Sequence, residues 1–252
     1  MSEIIKDRLV ILRTFDFGES SVIVVSLTRR HGKLRFLARG AKNGKSPFQG
    51  MLRTGNIGDA VFYNKAERGL QILKEIDTSP VFDAGGNDLA ILCIFQAGLE
   101  VVDRSTIEDE YDEGLFDLLE RFSTLLNRSA DPWALLFSME VQLLCMTGFY
   151  PSITECAGCK KLLVGKGVNI DPSRGSISCV RCAEDGSMHL SALSAGLLAR
   201  MESNGTDLSV EMEIDPAERR EIGRLLHNIF IHHVAGYKLP GALKILKGVD
   251  QQ

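Results

Sequence analysis

The sequence predicts an α+β multidomain protein: a small antiparallel β-barrel first, then an α-helical domain interrupted by a four-cysteine element. Three observations carry this. Five short segments rich in β-branched residues crowd into residues 1–80. From about Asn87 the apolar spacing changes from two residues to about 3.6. Cys156, Cys159, Cys179 and Cys182 then form two C-x-x-C pairs. The expected division is a barrel over 1–80 and a helical domain over 81–252, with residues 154–184 as the inserted element.

The predicted strands are Arg8–Arg13, Ser21–Thr28, Lys33–Arg39, Asp59–Tyr63 and Leu70–Glu75. Phe17-Gly-Glu-Ser20 and Arg29-Arg-His-Gly32 separate the first three, because glycine and short polar residues suit tight turns. The third strand alternates, with Leu34, Phe36 and Ala38 on one face and Lys33, Arg35, Leu37 and Arg39 on the other. A flexible basic loop from Gly40 to Pro47 follows, and a charged turn joins the last two strands. Five short antiparallel strands with a gap after the third suit a closed barrel of the OB type.

Leu89, Leu92, Cys93, Gln96 and Leu99 make one helical stripe, and Leu115, Leu118, Leu119, Phe122 and Leu126 a second. Asp131-Pro132 opens a third helix, with Asp as N-cap and Pro where a missing N–H costs nothing. Its apolar residues from Leu135 to Met146 lie nearly all round, which predicts the buried centre of a bundle, ended by Gly148. After the cysteines come a helix over Ser191–Glu202 and a longer one opening at Asp215-Pro-Ala-Glu218 in a capping-box-like pattern. A short helical patch runs from Leu243 to Lys247.

The chain of 252 residues is 44% apolar and 25% charged, enough to bury a core without help from a metal. No run approaches the ~18 uninterrupted apolar residues of a membrane span. The opening MSEIIKDRLVILRTF has no small-residue cleavage site after its short apolar run, so the expected compartment is the cytoplasm. In a reducing cytosol, C-x-x-C pairs point to metal binding or redox chemistry rather than to disulfides. Charge is uneven: residues 1–80 hold 14 Lys/Arg against 8 Asp/Glu, and residues 81–252 hold 15 against 25. A basic first part suits contact with a polyanion.

The cysteines carry the strongest chemical signal. Two thiolates in a tight knuckle bind one metal ion together, and a second knuckle completes a tetrahedron. Ala157-Gly158 permits the tight turn, and Lys160 and Arg181 offset thiolate charge. Zinc fits best, with a rubredoxin-like iron site or a pair of redox dithiols as alternatives. Four cysteines fill the coordination sphere, whereas a catalytic zinc keeps a position open for water, so a structural role is expected.

Arg13, Arg29, Arg30, Lys33, Arg35, Arg39, Lys42 and Lys45 make the barrel basic, beside three aromatic residues expected to be exposed, Phe15, Phe17 and Phe48. Cations with stacking rings suit single-stranded nucleic acid, against the alternative of a merely solvated strand face. On the last long helix Ile222, Leu225, Leu226, Ile229 and Phe230 are core, while Arg220, Arg224 and His227 share a flank. That flank suits an acidic, hydrophobic peptide or is simply the wet side of the helix. His232-His233 reads as surface or core histidine. No phosphate loop, dinucleotide-binding loop, nucleophile elbow or zinc-protease motif occurs, and the H-x-E of zinc deaminases is missing. No enzyme is expected.

Taken together, the residues resemble the RecO family of bacterial recombination mediators. The resemblance lies in Val10-Ile-Leu-Arg13-Thr-Phe-Asp-Phe-Gly18-Glu19-Ser-Ser, Leu27-Thr28, Gly32 and Ala38-Arg-Gly-Ala-Lys42. It continues through Glu140 to Tyr150-Pro151, Cys156-x-x-Cys159, Gly175 and Cys179-x-x-Cys182. It implies an OB-fold domain, a helical domain and a zinc-ribbon-like element of four cysteines holding structural Zn2+. It implies binding of single- and double-stranded DNA, annealing of complementary strands, and work with RecR and in some settings RecF. The outcome is RecA loading on DNA coated by single-stranded-DNA-binding protein, whose acidic C-terminal tail is contacted. Carried onto this chain, Arg13, Arg35, Arg39, Lys42 and Lys45 become DNA contacts, and Arg220 and Arg224 are assigned here to the tail. Arg174-Gly175 departs from the Gly-Gly often found before the third cysteine. A scaffold of repair factors with little DNA affinity is the other reading.

Overall fold

The structure is a computed structural model and describes residues 3–64, 69–80, 89–108, 111–151 and 153–249. The turn between the fourth and fifth strands and the start of the first helix at Asn87 lie outside the described residues. The chain forms two compact units, Met1–Thr124 and Leu125–Gln252.

In the first unit, β1 (Glu3–Phe17) is long enough to serve two neighbours. Its first half pairs antiparallel with β4 (Asn56–Asn64), from Glu3↔Asn64 to Val10↔Ile57. Its second half pairs with β2 (Ser21–Thr28), from Leu9↔Thr28 to Phe17↔Ser21. The register slips between Ile11 and Arg13, and the extra residue bends the strand as it passes between partners. β3 (Gly32–Ala38) pairs antiparallel with β2 and parallel with β5 (Gln71–Pro80), and β5 returns against β4. The barrel closes in the order β1-β2-β3-β5-β4, the OB-type arrangement that the strand spacing predicts.

The alternation expected for β3 is met. Leu34, Phe36 and Ala38 point into the barrel with Leu9, Ile11, Val24, Ala60, Phe62, Leu73 and Ile76, and the Phe36 and Phe62 rings meet at 4.9 Å. Phe48 belongs to this core too. It is 6% exposed, which overturns its expected place among the exposed aromatics. Successive turns hold it there: Ser46 N donates to Asn43 O, Phe48 N to Ser46 Oγ and Met51 N to Phe48 O. They fold the loop back so that its aromatic side chain is buried, with Met51 and Leu52 packed against the same core. α1 (Leu89–Ser105) then packs Phe95 where Gly55 leaves room, since a Cβ there would lie 2.3 Å from the ring. α2 (Glu113–Leu125) completes the unit, so the change of period near residue 80 does not end the compact body.

In the second unit, α3 (Pro132–Met146) is buried nearly all round, as its sequence predicts. Asp131 caps it by accepting from Trp133 N at 2.9 Å, and the same carboxylate accepts from Ile214 N and Arg219 Nη2. Gln142 Nε2 donates to the Met201 and Glu202 carbonyls that end α4 (Ala192–Asn204). α5 (Pro216–His233) buries the five predicted core residues. Its opening differs from the expected capping box. Asp215 makes no side-chain cap, and Pro216 at the first turn starts the helix instead. α6 (Gly241–Val249) follows. A small sheet of β6 (Val168–Asp171), β7 (Ser176–Ser178) and β8 (Met188–Leu190) carries the cysteine knuckles. Among the described residues, no helix is long and apolar enough to cross a membrane.

Candidate functional site

The barrel register sets Arg13, Val25 and Arg35 in one row across β1, β2 and β3, on the face turned away from the core. The next row is Phe15, Ile23 and Leu37. Arg13 Nε donates to Asp103 Oδ2 at 2.6 Å. Arg35 Nε and Nη2 both donate to Glu108 Oε2, at 2.9 and 2.6 Å. Lys33 is 7% exposed, and its Nζ donates to the carbonyls of Asp103 and Thr106 at 2.6 and 2.7 Å while pairing with the Asp103 carboxylate. A cation there closes the C-terminal end of α1, where carbonyls lack partners and the helix dipole is negative. Arg8 and Arg29 reach Glu120 and Asp117 on α2 at 2.8 Å each. The helices therefore neutralise much of the barrel's charge, and residues 1–124 hold 16 Lys/Arg against 19 Asp/Glu.

What stays open lies toward one end of the barrel. Arg39 and Lys45 are exposed and make no side-chain hydrogen bond or ion pair among the described residues. Arg53, which the sequence pattern did not single out, is in the same state. Lys42 pairs with Asp16 at 2.7 Å, and its backbone N–H donates to Ser20 O, which pins the basic loop beside the β1–β2 turn. Phe15 and Phe17, next along β1 from Arg13, are 40% and 50% exposed. The Arg13 guanidinium lies 5.6 Å from the Phe15 ring centroid, within cation–π range.

The four cysteines come together as their spacing predicts, with all four Sγ atoms within 4.8 Å of one another. Sulfurs bound to one metal at about 2.3 Å sit about 3.8 Å apart, and Cys159 Sγ and Cys179 Sγ are 3.9 Å apart. Cys156 is buried and accepts from the backbone N–H groups of Cys159 and Cys179, at 3.5 and 3.3 Å. Those N–H groups hold its thiol down to about 6, while the Cys179 sulfur and its neighbours push Cys182 up to about 12. A crowded set that ionises unevenly is what a divalent cation relieves. The knuckle turns differently from the sequence reading. Lys160 takes the left-handed conformation, with φ 58°, whereas Gly158 is needed for space, since a Cβ there would lie 3.1 Å from Cys182 Cβ. Lys160 pairs with Glu155, and Arg181 is exposed.

Arg220 and Arg224 border a cavity of about 400 Å³ between α3, α5 and the chain around the start of α6. Trp133, Phe137, Tyr237 and Leu243 supply apolar walls, and Glu140 of α3 lines it as well. Arg219 is committed to Asp131, with its guanidinium 5.5 Å from the Trp133 ring centroid. Arg220 and Arg224 are exposed and make no ion pair among the described residues. Position on one helical flank made these arginines visible in sequence. Trp133 and Tyr237 were not, because each reaches the cavity from a different segment.

The chain matches the family described as Recombination protein O N terminal over residues 1–82 and Recombination protein O C terminal over residues 86–241. It is 31% identical over 238 residues to a DNA repair protein RecO of Myxococcus xanthus, covering 92% of this chain and 93% of that protein. It is 29% identical over 175 residues to the protein of that name from Halalkalibacterium halodurans, covering 69% of this chain and 67% of that one. With the Bacillus subtilis protein of that name it shares 31% over 151 residues, covering 60% of this chain and 58% of the relative. A closed five-stranded barrel, a helical unit and a four-cysteine element are thus joined by matches over both parts of the chain, which belongs to the Recombination protein O family.

Proposed function

We propose that this protein is a DNA-binding mediator of recombinational repair. It anneals complementary single strands and, with RecR, helps RecA load onto DNA coated by single-stranded-DNA-binding protein. The observation that carries the reading is the open end of the barrel, where Phe15 and Phe17 are exposed beside a loop whose Arg39, Lys45 and Arg53 have no intramolecular ion pair among the described residues. Cations there neutralise phosphate and release counterions, and the rings stack on bases. Two strands held with their charge reduced and their bases accessible pair faster, and no covalent step is needed, so the role is not enzymatic. Arg13, Arg35 and Lys42 join by exchanging a carboxylate for a phosphate. That exchange is cheap because exposed ion pairs contribute only about 0–1 kcal/mol. Both single- and double-stranded DNA present the required phosphates, and RecF is a further partner in some settings. The site of action is the cytoplasm, at the nucleoid.

The cysteine set fits zinc, held by Cys156, Cys159, Cys179 and Cys182. A closed set of four sulfurs gives it a structural role, cross-linking two knuckles 20 residues apart in sequence. The cavity bordered by Arg220 and Arg224 receives the acidic C-terminal tail of single-stranded-DNA-binding protein, with an apolar side chain among the aromatic walls. The scaffold reading has one observation in its favour, the acid-for-base compensation within residues 1–124. A binding and annealing assay with labelled complementary strands at rising salt separates the two. A mediator binds and anneals, and loses affinity steeply with salt. A scaffold shows neither activity at low salt.

A further inference from the structure

Glu140 is not among the residues assigned to DNA, metal or tail. It sits on α3 with 5% exposure, lines the cavity, and has no hydrogen-bond or ion-pair partner among the described residues. The charged and titratable groups that share the cavity are Arg219, Arg220, Arg224 and His227 on α5 and Tyr237 after it. None of them pairs with Glu140, and Arg219 is turned to Asp131. A second buried group is unmet nearby, Arg219 Nε. A partnerless carboxylate is strongly disfavoured in such a place, so it is the proton-bearing form that is stable there. Burial indeed pushes Glu140 up to about 8.

We propose that Glu140 is a specificity-determining residue of this pocket, its neutral carboxyl donating a hydrogen bond to a carboxylate of an acidic peptide whose aromatic side chain fills the cavity. The inference rests on the reading of the cavity as a peptide-tail site. Ionised, Glu140 would repel the carboxylates that Arg220 and Arg224 attract. Protonated, it becomes a donor on the cavity wall, and a hydrogen bond to a charged acceptor is strong. The pocket thereby selects for a ligand with an acceptor at the depth of Glu140, and binding holds the proton in place. Affinity must then fall as pH rises through the range where free Glu140 ionises.

The test uses the full chain and a short N-acetylated peptide rich in aspartate and ending in phenylalanine. Titration between about pH 7 and about pH 9 stays above the ordinary range of histidine and below that of tyrosine and arginine. The unmodified protein should lose about tenfold in affinity across that window. It should also take up protons on binding near the upper end, read by calorimetry in two buffers of different ionisation enthalpy. Glu140→Gln, which keeps a donor and cannot ionise, should bind as tightly as the unmodified protein near pH 7 and show a flat profile. A flat profile in the unmodified protein, or no proton uptake, overturns the inference while leaving the tail reading intact. No binding at any pH overturns the tail reading and the inference with it.

Discussion

Two cationic surfaces of this molecule look alike in sequence and differ in structure. On β3, Lys33 and Arg35 are spent inside their own unit, on Asp103 and Glu108. On α5, Arg219 is spent on Asp131, while Arg220 and Arg224 remain open beside a cavity. A basic stripe thus gives the sign of a surface but not its availability. Acids 70 or more residues downstream decide that for the barrel, as in Lys33 with Asp103 and Arg35 with Glu108. Availability is left to Arg39 at the end of the stripe and to Lys45 and Arg53 in the loop that follows.

Lys33→Ala should separate the two surfaces most sharply. It strands the Asp103 and Thr106 carbonyls in a nearly buried place and leaves the Asp103 carboxylate with Arg13 as its remaining cation, and should cost about 3 kcal/mol in denaturant unfolding. The fraction that stays folded should bind DNA unchanged, because the lysine is not at the surface. On the helical side, the raised Glu140 carboxyl makes the opposite kind of cost. Its stabilising neutral form is fully present below about 4.5 and is lost as pH rises through about 8. Stability should therefore decline by a few kcal/mol over that interval, and Glu140→Gln should flatten the decline in unfolding curves taken across it.

Charge reversal of Arg220 and Arg224 together should weaken the aspartate-rich peptide by more than about tenfold at low salt and leave DNA affinity unchanged, as measured by anisotropy with each ligand. Glu108→Gln should be the mildest change. It removes the acid from an exposed pair, costs under about 1 kcal/mol, and frees Arg35, so that DNA affinity rises slightly rather than falls.

Much of this architecture could be read from the residues themselves. The alternation of Lys33 to Arg39 gave the inner and outer faces of β3, and the cysteine spacing gave a cluster, because both are set by neighbours in sequence. The Asp131-Pro132 cap is equally local. Phe48 was misplaced because a turn-rich loop hid a core residue. The pairing of Arg13 with Asp103 was invisible because it spans 90 residues. Arg53 gave no signal beyond its charge, and Glu140 none beyond an acid in an apolar helix. Both acquire meaning only from what surrounds them in three dimensions.

DNA, on the reading proposed above, is held first by the open cations of the barrel, and the paired ones join only by giving up a carboxylate. The decisive measurement is the dependence of single-strand affinity on salt in two double variants, Arg39→Ala with Lys45→Ala and Arg13→Ala with Arg35→Ala. Each phosphate contact contributes about 0.7 to the slope of log affinity against log salt on single strands. The first variant should lower the slope by about 1.4, and the second should change it by much less. Equal losses in the two variants, or a loss confined to Arg13 and Arg35, would contradict the account.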